Sequence, residues 1–516
     1  MCLSGGGFRA ALFQLGILKR LHEAGLLRHV YAYAATSGGS ILATILKLHS
    51  DEDSVTGEVQ VNWPRVEAEV LRLANRGLLR ESTALAIAIG LYVLAWFVHL
   101  FGSLLRESAC AFAEYTIRSC QDTSYRSWNT WFGVLAIILA ATAVAIHAGL
   151  AVHLIRRGAR RFSKRFARWC HLNGEHAHFA RGPRRLLAML LSPSFLRWQM
   201  LNLDVYRDAV MGSVSSALPW LYVTAVDLVG GAEKVFTKGV VATLDMEGTR
   251  QLWKQRANYA SGDISKVDIA AVVAASSAIP LVFRPVGLGN EWSHIGTFID
   301  GGVLDNLSLN VVRAFSVQIR DENNESIFRQ HTELVILADG SLPLGAYGGH
   351  RWWRFRPISR IVDVVTNHAG QDADLARKTF IWDLGLEIKH LSLSVGFPEG
   401  GVEDHSAISP LVPRIRTHLD SFTHRECASL VYCGYAQCDS FIATYSAGLT
   451  KFDGVVLGRS GRTIRDMLPH PIAPSLLEPQ ELARHLMASD SQSLVWRMLR
   501  RWVGRLRARS TVRSRG

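Results

Sequence analysis

One stretch restricts this chain more than any other: Val30-Tyr31-Ala32-Tyr33-Ala34-Ala35-Thr36-Ser37-Gly38-Gly39-Ser40-Ile41-Leu42-Ala43. A short apolar run meets a serine hemmed in by small residues, and a helix-forming run follows at once. Strand, sharp turn and helix in so few residues bring backbones into contact, so only small neighbours fit. Such a turn strains the φ/ψ of the serine at its apex, and the helix N-terminus behind it favours negative charge there. This is the nucleophile-elbow arrangement, with Ala35 where the G-x-S-x-G pattern has its first glycine. Ser37 is therefore a candidate nucleophile, the alternative being a serine that only caps a helix.

The segment before it sharpens the choice. Ser4-Gly5-Gly6-Gly7-Phe8-Arg9 leads into AALFQLGILKRLHEAGLL, where Leu12, Leu15, Leu18 and Leu21 recur along one face and Gly25 can serve as a stop. Three glycines before a helix let backbone N–H groups converge beside its positive end, a geometry that suits a phosphate or a developing oxyanion. The loop lacks the Lys-Ser/Thr ending of a P-loop and is not G-x-G-x-x-G, which argues against a nucleotide. Only a few residues precede Gly5, so the strand leading into this loop is expected to be short, or the natural start to lie upstream.

A serine needs a base. Nineteen histidines are scattered along the chain, none in a motif characteristic of a triad. The best acid is Asp300, in Thr297-Phe298-Ile299-Asp300-Gly301-Gly302-Val303-Leu304-Asp305-Asn306, where a strand ends in a carboxylate flanked by two glycines. Asp339-Gly340, closing Glu333-Leu334-Val335-Ile336-Leu337-Ala338, is a rival that reads better as a structural strand end.

S-G-G-G-F-R, then S-G-G-S, then D-G-G-V-x-D-N in this order resembles the patatin-like phospholipase family. Pro219–Leu228 resembles that family's strand before a short acidic turn, and Val272-Val273-Ala274-Ala275-Ser276-Ser277-Ala278-Ile279-Pro280 its A-S-x-A-x-P segment. The resemblance implies a three-layer α/β/α fold and hydrolysis of lipid acyl esters by a Ser-Asp dyad. On that basis Ser37 is the nucleophile and Asp300 the general base. Gly5, Gly6, Gly7 and Gly38 would supply oxyanion-hole N–H groups, and Arg9 would support the loop or touch substrate. No metal or other cofactor is expected, since neither an H-E-x-x-H nor an EF-hand pattern occurs.

The resemblance does not explain two apolar runs between Ser37 and Asp300. Ala84–Leu105 and Trp131–Ile155 contain no Asp, Glu, Lys or Arg. As helices each would span about 33–37 Å, enough for a hydrocarbon layer of about 30 Å. Arg65, Arg72, Arg76 and Arg80 precede the first, and Arg156, Arg157, Arg160, Arg161, Lys164, Arg165 and Arg168 follow the second. By the positive-inside rule both flanks are cytoplasmic and the short loop with Cys110 and Cys120, bonded or free, faces out. The alternative is a helical hairpin buried in a soluble domain.

Net charge is +13. Because one basic cluster adjoins a membrane-length run, anionic lipid headgroups are the expected partner, not nucleic acid. Leu494, Trp496, Leu499, Trp502, Val503 and Leu506, interleaved with arginines, fit an interfacial amphipathic helix or one packed on the domain. His171, His176 and His178 could bind a metal but lack a fourth ligand. Seven cysteines in 516 residues make no disulfide framework, and Cys427, Cys433 and Cys438 read as buried free thiols.

The expected organisation is a patatin-like domain in two parts, 1–80 and 201–450. Between them lie a transmembrane hairpin at 81–160 and a basic juxtamembrane segment at 161–200, and a basic tail at 451–516 follows. The expected protein is an integral component of the cytoplasmic membrane, with its catalytic domain on the cytoplasmic side, hydrolysing lipid esters. The alternatives are acyl transfer to a lipid alcohol and a non-catalytic lipid-binding scaffold.

Overall fold

The structure, a computed structural model, describes residues 1–52, 59–76, 206, 209–214, 219–237, 239–247, 254–259, 263–280, 283–318, 334–341, 378, 385–398, 405–415, 421–470 and 472–489. The chain divides into two units, Met1–Arg80 with His171–Gly516, and Glu81–Cys170. The second unit lies outside the described residues, and so do both apolar runs, the basic segment 156–168, Cys110 and Cys120, the three clustered histidines and the tail after 489. Among the described residues no helix is long and apolar enough to cross a membrane.

The strands are β1 (Cys2–Leu3), β2 (Ala32–Thr36), β3 (Ser50–Glu52), β4 (Val59–Val61), β5 (Trp220–Asp227), β6 (Glu233–Thr237), β7 (Val240–Glu247), β8 (Lys254–Tyr259), β9 (Val286–Gly287), β10 (Thr297–Asp300), β11 (Leu334–Asp339) and β12 (Glu387–Ser392). The helices used below are α1 (Gly7–Glu23), α2 (Gly38–Leu48), α3 (Trp63–Arg76), α4 (Ile269–Ser276), α5 (Leu309–Gln318) and α6 (His424–Thr444).

One sheet runs in the order β12-β11-β1-β2-β5-β6-β7-β8. From β12 to β5 neighbours are parallel, and from β5 to β8 they are antiparallel. Strand β2, central in the parallel half, is buried on both faces, which is why it reads as an unbroken small apolar run and not as an alternating one. β1 spans Cys2–Leu3 and sits mid-sheet, with Leu3 opposite both Ala35 and Ala338.

Helices cover both faces. Cys2, Ala32, Ala34, Tyr222, Val235 and Leu337 form one core with Leu309, Val312 and Ala314 of α5. The opposite face carries α2, whose Gly39 lies against Leu3 so closely that an added Cβ would sit 2.8 Å from the Leu3 Cβ.

Helix α1 ends as its sequence foretells. Gly25 takes φ +74°, Leu26 N–H donates to Leu21 O at 2.8 Å and Gly25 N–H to His22 O at 3.0 Å, a Schellman closure. The expected single apolar face is too modest a description, because every residue from Phe8 to Leu21 is buried. The polar positions are covered by partners. Lys19 Nζ meets Glu67 of α3 at 2.8 Å, and Arg20 Nε meets Asp439 of α6 at 2.6 Å. Helix α6 is itself started by a capping box, with Glu426 N–H donating to Thr423 Oγ1 and Thr423 N–H to Glu426 Oε2.

Candidate active site

Ser37 stands between β2 and α2 with φ +50° and ψ −115°, a region that a non-glycine residue enters at a cost of about 1–3 kcal/mol. The elbow closes only because its neighbours lack side chains. A Cβ on Gly38 would run into Gly7 O and come within 2.8 Å of Gly7 C, and one on Gly5 would lie 3.2 Å from Ser37 Cβ. Gly39 N–H also donates to Ser4 O at 3.2 Å, so the glycine loop and the elbow are joined backbone to backbone.

Strand register brings Asp300 to the same place. Both β2 and β10 overlap the span of β5 that β6 covers, so both must lie on the edge opposite β6. There β2 arrives parallel and β10 antiparallel, and the two meet end to end. Thr36 is opposite Thr224 and Asp300 is opposite the next residue, Ala225. The last residues of the two strands, one directly before Ser37 and the other Asp300 itself, are thus neighbours along one edge. Ser37 and Asp300 are 4% and 6% exposed. Ser37 Oγ has no hydrogen bond among the described residues, which leaves its hydroxyl free to turn, and such contacts commonly tighten only when substrate binds.

The residues after Asp300 each have a task. Gly302 N–H donates to Asp300 Oδ1 at 2.8 Å. Gly301 must be glycine, since a Cβ there would sit 2.6 Å from Thr224 Oγ1 and 2.7 Å from Thr224 O. Asp305, fully buried, accepts from Leu307 N–H at 3.1 Å and Asn310 N–H at 2.5 Å and so turns the chain into α5. Asn306 O accepts the Gly5 N–H at 3.0 Å. This is the physical content of the D-G-G-V-x-D-N pattern: it ties the acid's strand to the glycine loop.

The last bond also refines the oxyanion reading. Gly5 N–H is already committed to Asn306 O, whereas the amides of Gly6, Gly7 and Gly38 have no acceptor among the described residues. Gly7 and Gly38 open α1 and α2, so two helix N-termini converge beside Ser37. Arg9 is fully buried and donates to Gly340 O at 3.0 Å, Ile415 O at 3.3 Å and Pro413 O at 3.4 Å. Of the two roles open to it, this geometry fits bracing the loop.

Asp339 is spoken for elsewhere. Its carboxylate accepts from Ser341 N–H at 2.9 Å, from the Ser341 hydroxyl, from His390 Nε2 at 3.3 Å and from Ser392 Oγ at 3.4 Å. Burial works to raise its pKa, but the hydrogen bonds from His390 and Ser341 outweigh it and hold the carboxyl below its ordinary value. A carboxylate with a lowered folded-state pKa stabilises fully above the ordinary carboxylate range, and that stabilisation fades as pH falls through the folded value. Asp339→Asn should therefore cost about 1–2 kcal/mol in urea unfolding at pH 7 and progressively less below about pH 4. A loss independent of pH would show that the charge contributes nothing.

Thiols offer no competing nucleophile among the described residues. Burial pushes the Cys2 thiol up to about 12, and it also raises Cys433 and Cys438. Cys2, Cys427, Cys433 and Cys438 are buried and form no disulfide among the described residues. No cluster of described residues could hold a metal ion. A cavity of about 340 Å³, lined by His22, Arg28, Tyr33 and Ser50 among others, lies at the start of β2, the end remote from Ser37.

Sequence reasoning left one side chain of this site without a role. Ser276 Oγ accepts the Ser37 N–H at 3.0 Å. The A-S-x-A-x-P segment signalled that position, but nothing local in the sequence says which amide it meets.

No curated protein matches the chain. Among solved structures, the crystal structure of VipD from Legionella pneumophila matches at 14% identity and a TM-score of 0.28, covering 94% of this chain and 73% of that one. The family model described as patatin-like phospholipase matches residues 1–313. That is more than half of the 516 residues, and the chain belongs to the patatin-like phospholipase family.

Proposed function

We propose that this protein hydrolyses acyl esters of lipids, with Ser37 as nucleophile and Asp300 as general base. The family makes lipid acyl hydrolysis the expected chemistry. The observation that carries the assignment of residues is the end-to-end meeting of β2 and β10 on one edge of β5, with Ser37 in a strained elbow beside it.

In this reading Asp300 takes the proton from Ser37 Oγ as it attacks the ester carbonyl. The amides of Gly6, Gly7 and Gly38 face the developing oxyanion, and each such donor is typically worth about 10²–10³ in rate. The alcohol leaves with a proton returned from Asp300. Water, deprotonated by the same carboxylate, then resolves the acyl-enzyme and frees the fatty acid. Substrate is drawn from a bilayer in which the runs 84–105 and 131–155 anchor the chain, with the basic clusters on anionic headgroups on the cytoplasmic side.

A fluorophosphonate probe should label the purified full-length protein at Ser37 by mass spectrometry, and Ser37→Ala should take no label. Labelling at another serine, or undiminished labelling of Ser37→Ala, would refute the nucleophile. Release of the full chain from membranes by carbonate washing would refute the anchor alone.

A further inference from the structure

One short segment grips both members of the proposed pair. Helix α4 is buried along its whole length and ends at Ser276. From that end the Ser276 hydroxyl oxygen accepts the Ser37 N–H at 3.0 Å, and two residues later Ala278 O accepts the Asp300 N–H at 3.0 Å. The segment is itself fixed. Backbone bonds do this: Ser277 N–H donates to Val273 O at 3.1 Å, and Ala278 N–H to Ala275 O at 3.2 Å.

These bonds fall where support is most needed. Ser37 holds a positive φ that its own elbow does not favour. Asp300 ends a four-residue strand that at that point is laddered, among the described residues, to β5 alone. A buried amide requires an acceptor in any protein, so satisfaction of Ser37 N–H alone would be unremarked structure. What exceeds that is the coincidence that nucleophile and base hang from one rigid helix end, two residues apart. The end of α4 thus adds one shared anchor to the strand register on β5 that brings the two residues together.

We infer that the C-terminal end of α4 is a staple that helps set the spacing of Ser37 and Asp300, with Ser276 as a positioning residue. The inference rests on the Ser37–Asp300 reading above. Ser276 touches no reacting atom in this scheme. Its hydroxyl fixes the direction in which Ser37 Oγ leaves the elbow, and a misplacement of about 1 Å costs on the order of a hundredfold in rate.

The test compares full-length wild type, Ser276→Ala, Ser276→Thr and Ser277→Ala with a short-chain p-nitrophenyl ester and a fluorophosphonate. Ser276→Ala should lower kcat and the labelling rate by about ten- to a hundredfold while KM stays within about twofold. Ser276→Thr keeps the acceptor oxygen and should recover part of the loss. Ser277→Ala keeps the backbone bonds of Ser277 and Ala278 and removes a hydroxyl that, among the described residues, donates only back to Val273 O at 2.5 Å, so it should stay near wild type. Amide exchange of the peptide spanning 32–40 should quicken in Ser276→Ala and not in Ser277→Ala.

Should Ser276→Ala fail to fold, Ser276→Cys fills the space with a weak acceptor and carries the same expectation. Labelling of Ser276→Ala at the wild-type rate, with Ser37→Ala unlabelled, overturns the staple and leaves the dyad standing. Wild type that takes no label at Ser37 overturns the dyad, and the inference with it.

Discussion

Ser37→Ala is expected to lower kcat for a soluble ester by about 10⁴-fold or more, with KM little changed, and Asp300→Asn by a similar order. The near constancy of KM follows from what the groups do: neither is needed to hold an ester, and both act on the proton and the bond that change in the transition state. The double variant should be no slower than Ser37→Ala, since a base without its nucleophile has nothing to activate. Both variants should remain folded. Ser37 Oγ supports no other group among the described residues, and an asparagine at 300 retains an oxygen for the Gly302 N–H that Asp300 Oδ1 now accepts at 2.8 Å. Thermal melts within a few degrees of wild type would exclude unfolding as the cause. Multiplied losses in the double variant would mean that the two residues act in separate steps, and full activity of Asp300→Asn would return the base to an unidentified group.

The parts of this site that the sequence announced are those made by consecutive residues. Gly5–Gly7 before α1, the small neighbours of Ser37 and the glycines after Asp300 are all local demands of tight turns, and a local demand leaves a local signature. What could not be read is how distant pieces share an edge. That β2 and β10 meet on β5 depends on registers linking residues near 36, 224 and 300. No periodicity within any one strand encodes that meeting. The same holds for Ser276, whose partner lies 239 positions away. The Gly5 N–H, bonded to Asn306 O, illustrates a related limit: a glycine loop shows which backbones can approach but not which amides remain free. Helix α1 shows the limit of the pattern argument from the other side. Its polar residues, Arg9, Lys19 and Arg20 included, are buried because α3, α6 and nearby loops supply Glu67, Asp439 and backbone carbonyls, partners that no pattern within α1 encodes.

That burial requires α1 and α6 to approach at backbone distance, and two glycines make it possible. A Cβ on Gly16 would collide with Val431 O and come within 2.8 Å of both Tyr435 N and Val431 C. On the facing helix, a Cβ on Gly434 would collide with Phe13 O and lie 2.9 Å from Phe13 C. The obstacles are backbone atoms in the middle of long helices, which cannot swing aside as a side chain can. Gly434→Val and Gly16→Val are therefore each expected to cost about 3–5 kcal/mol, at or above the upper end for overpacked cores and a large share of a domain's usual 5–15 kcal/mol. Helix propensity argues the other way, since alanine in place of glycine inside an isolated helix gains about 1 kcal/mol. Gly434→Ala thus decides between them: a lower urea midpoint means the crossing is closed, and a higher one means the helices have room. The outcome bears on function, because α1 begins at Gly7 in the loop beside Ser37. Helix α6 lies beyond residues 1–313, the span of the family match, yet it covers the helix that presents the glycine loop. If the helices are forced apart, esterase activity should fall with stability, even though Gly434 packs against Phe13 of α1 and not against the glycine loop. Retained activity in a destabilised Gly434→Ala would show that the loop is held by Arg9 and Asn306 without help from α6.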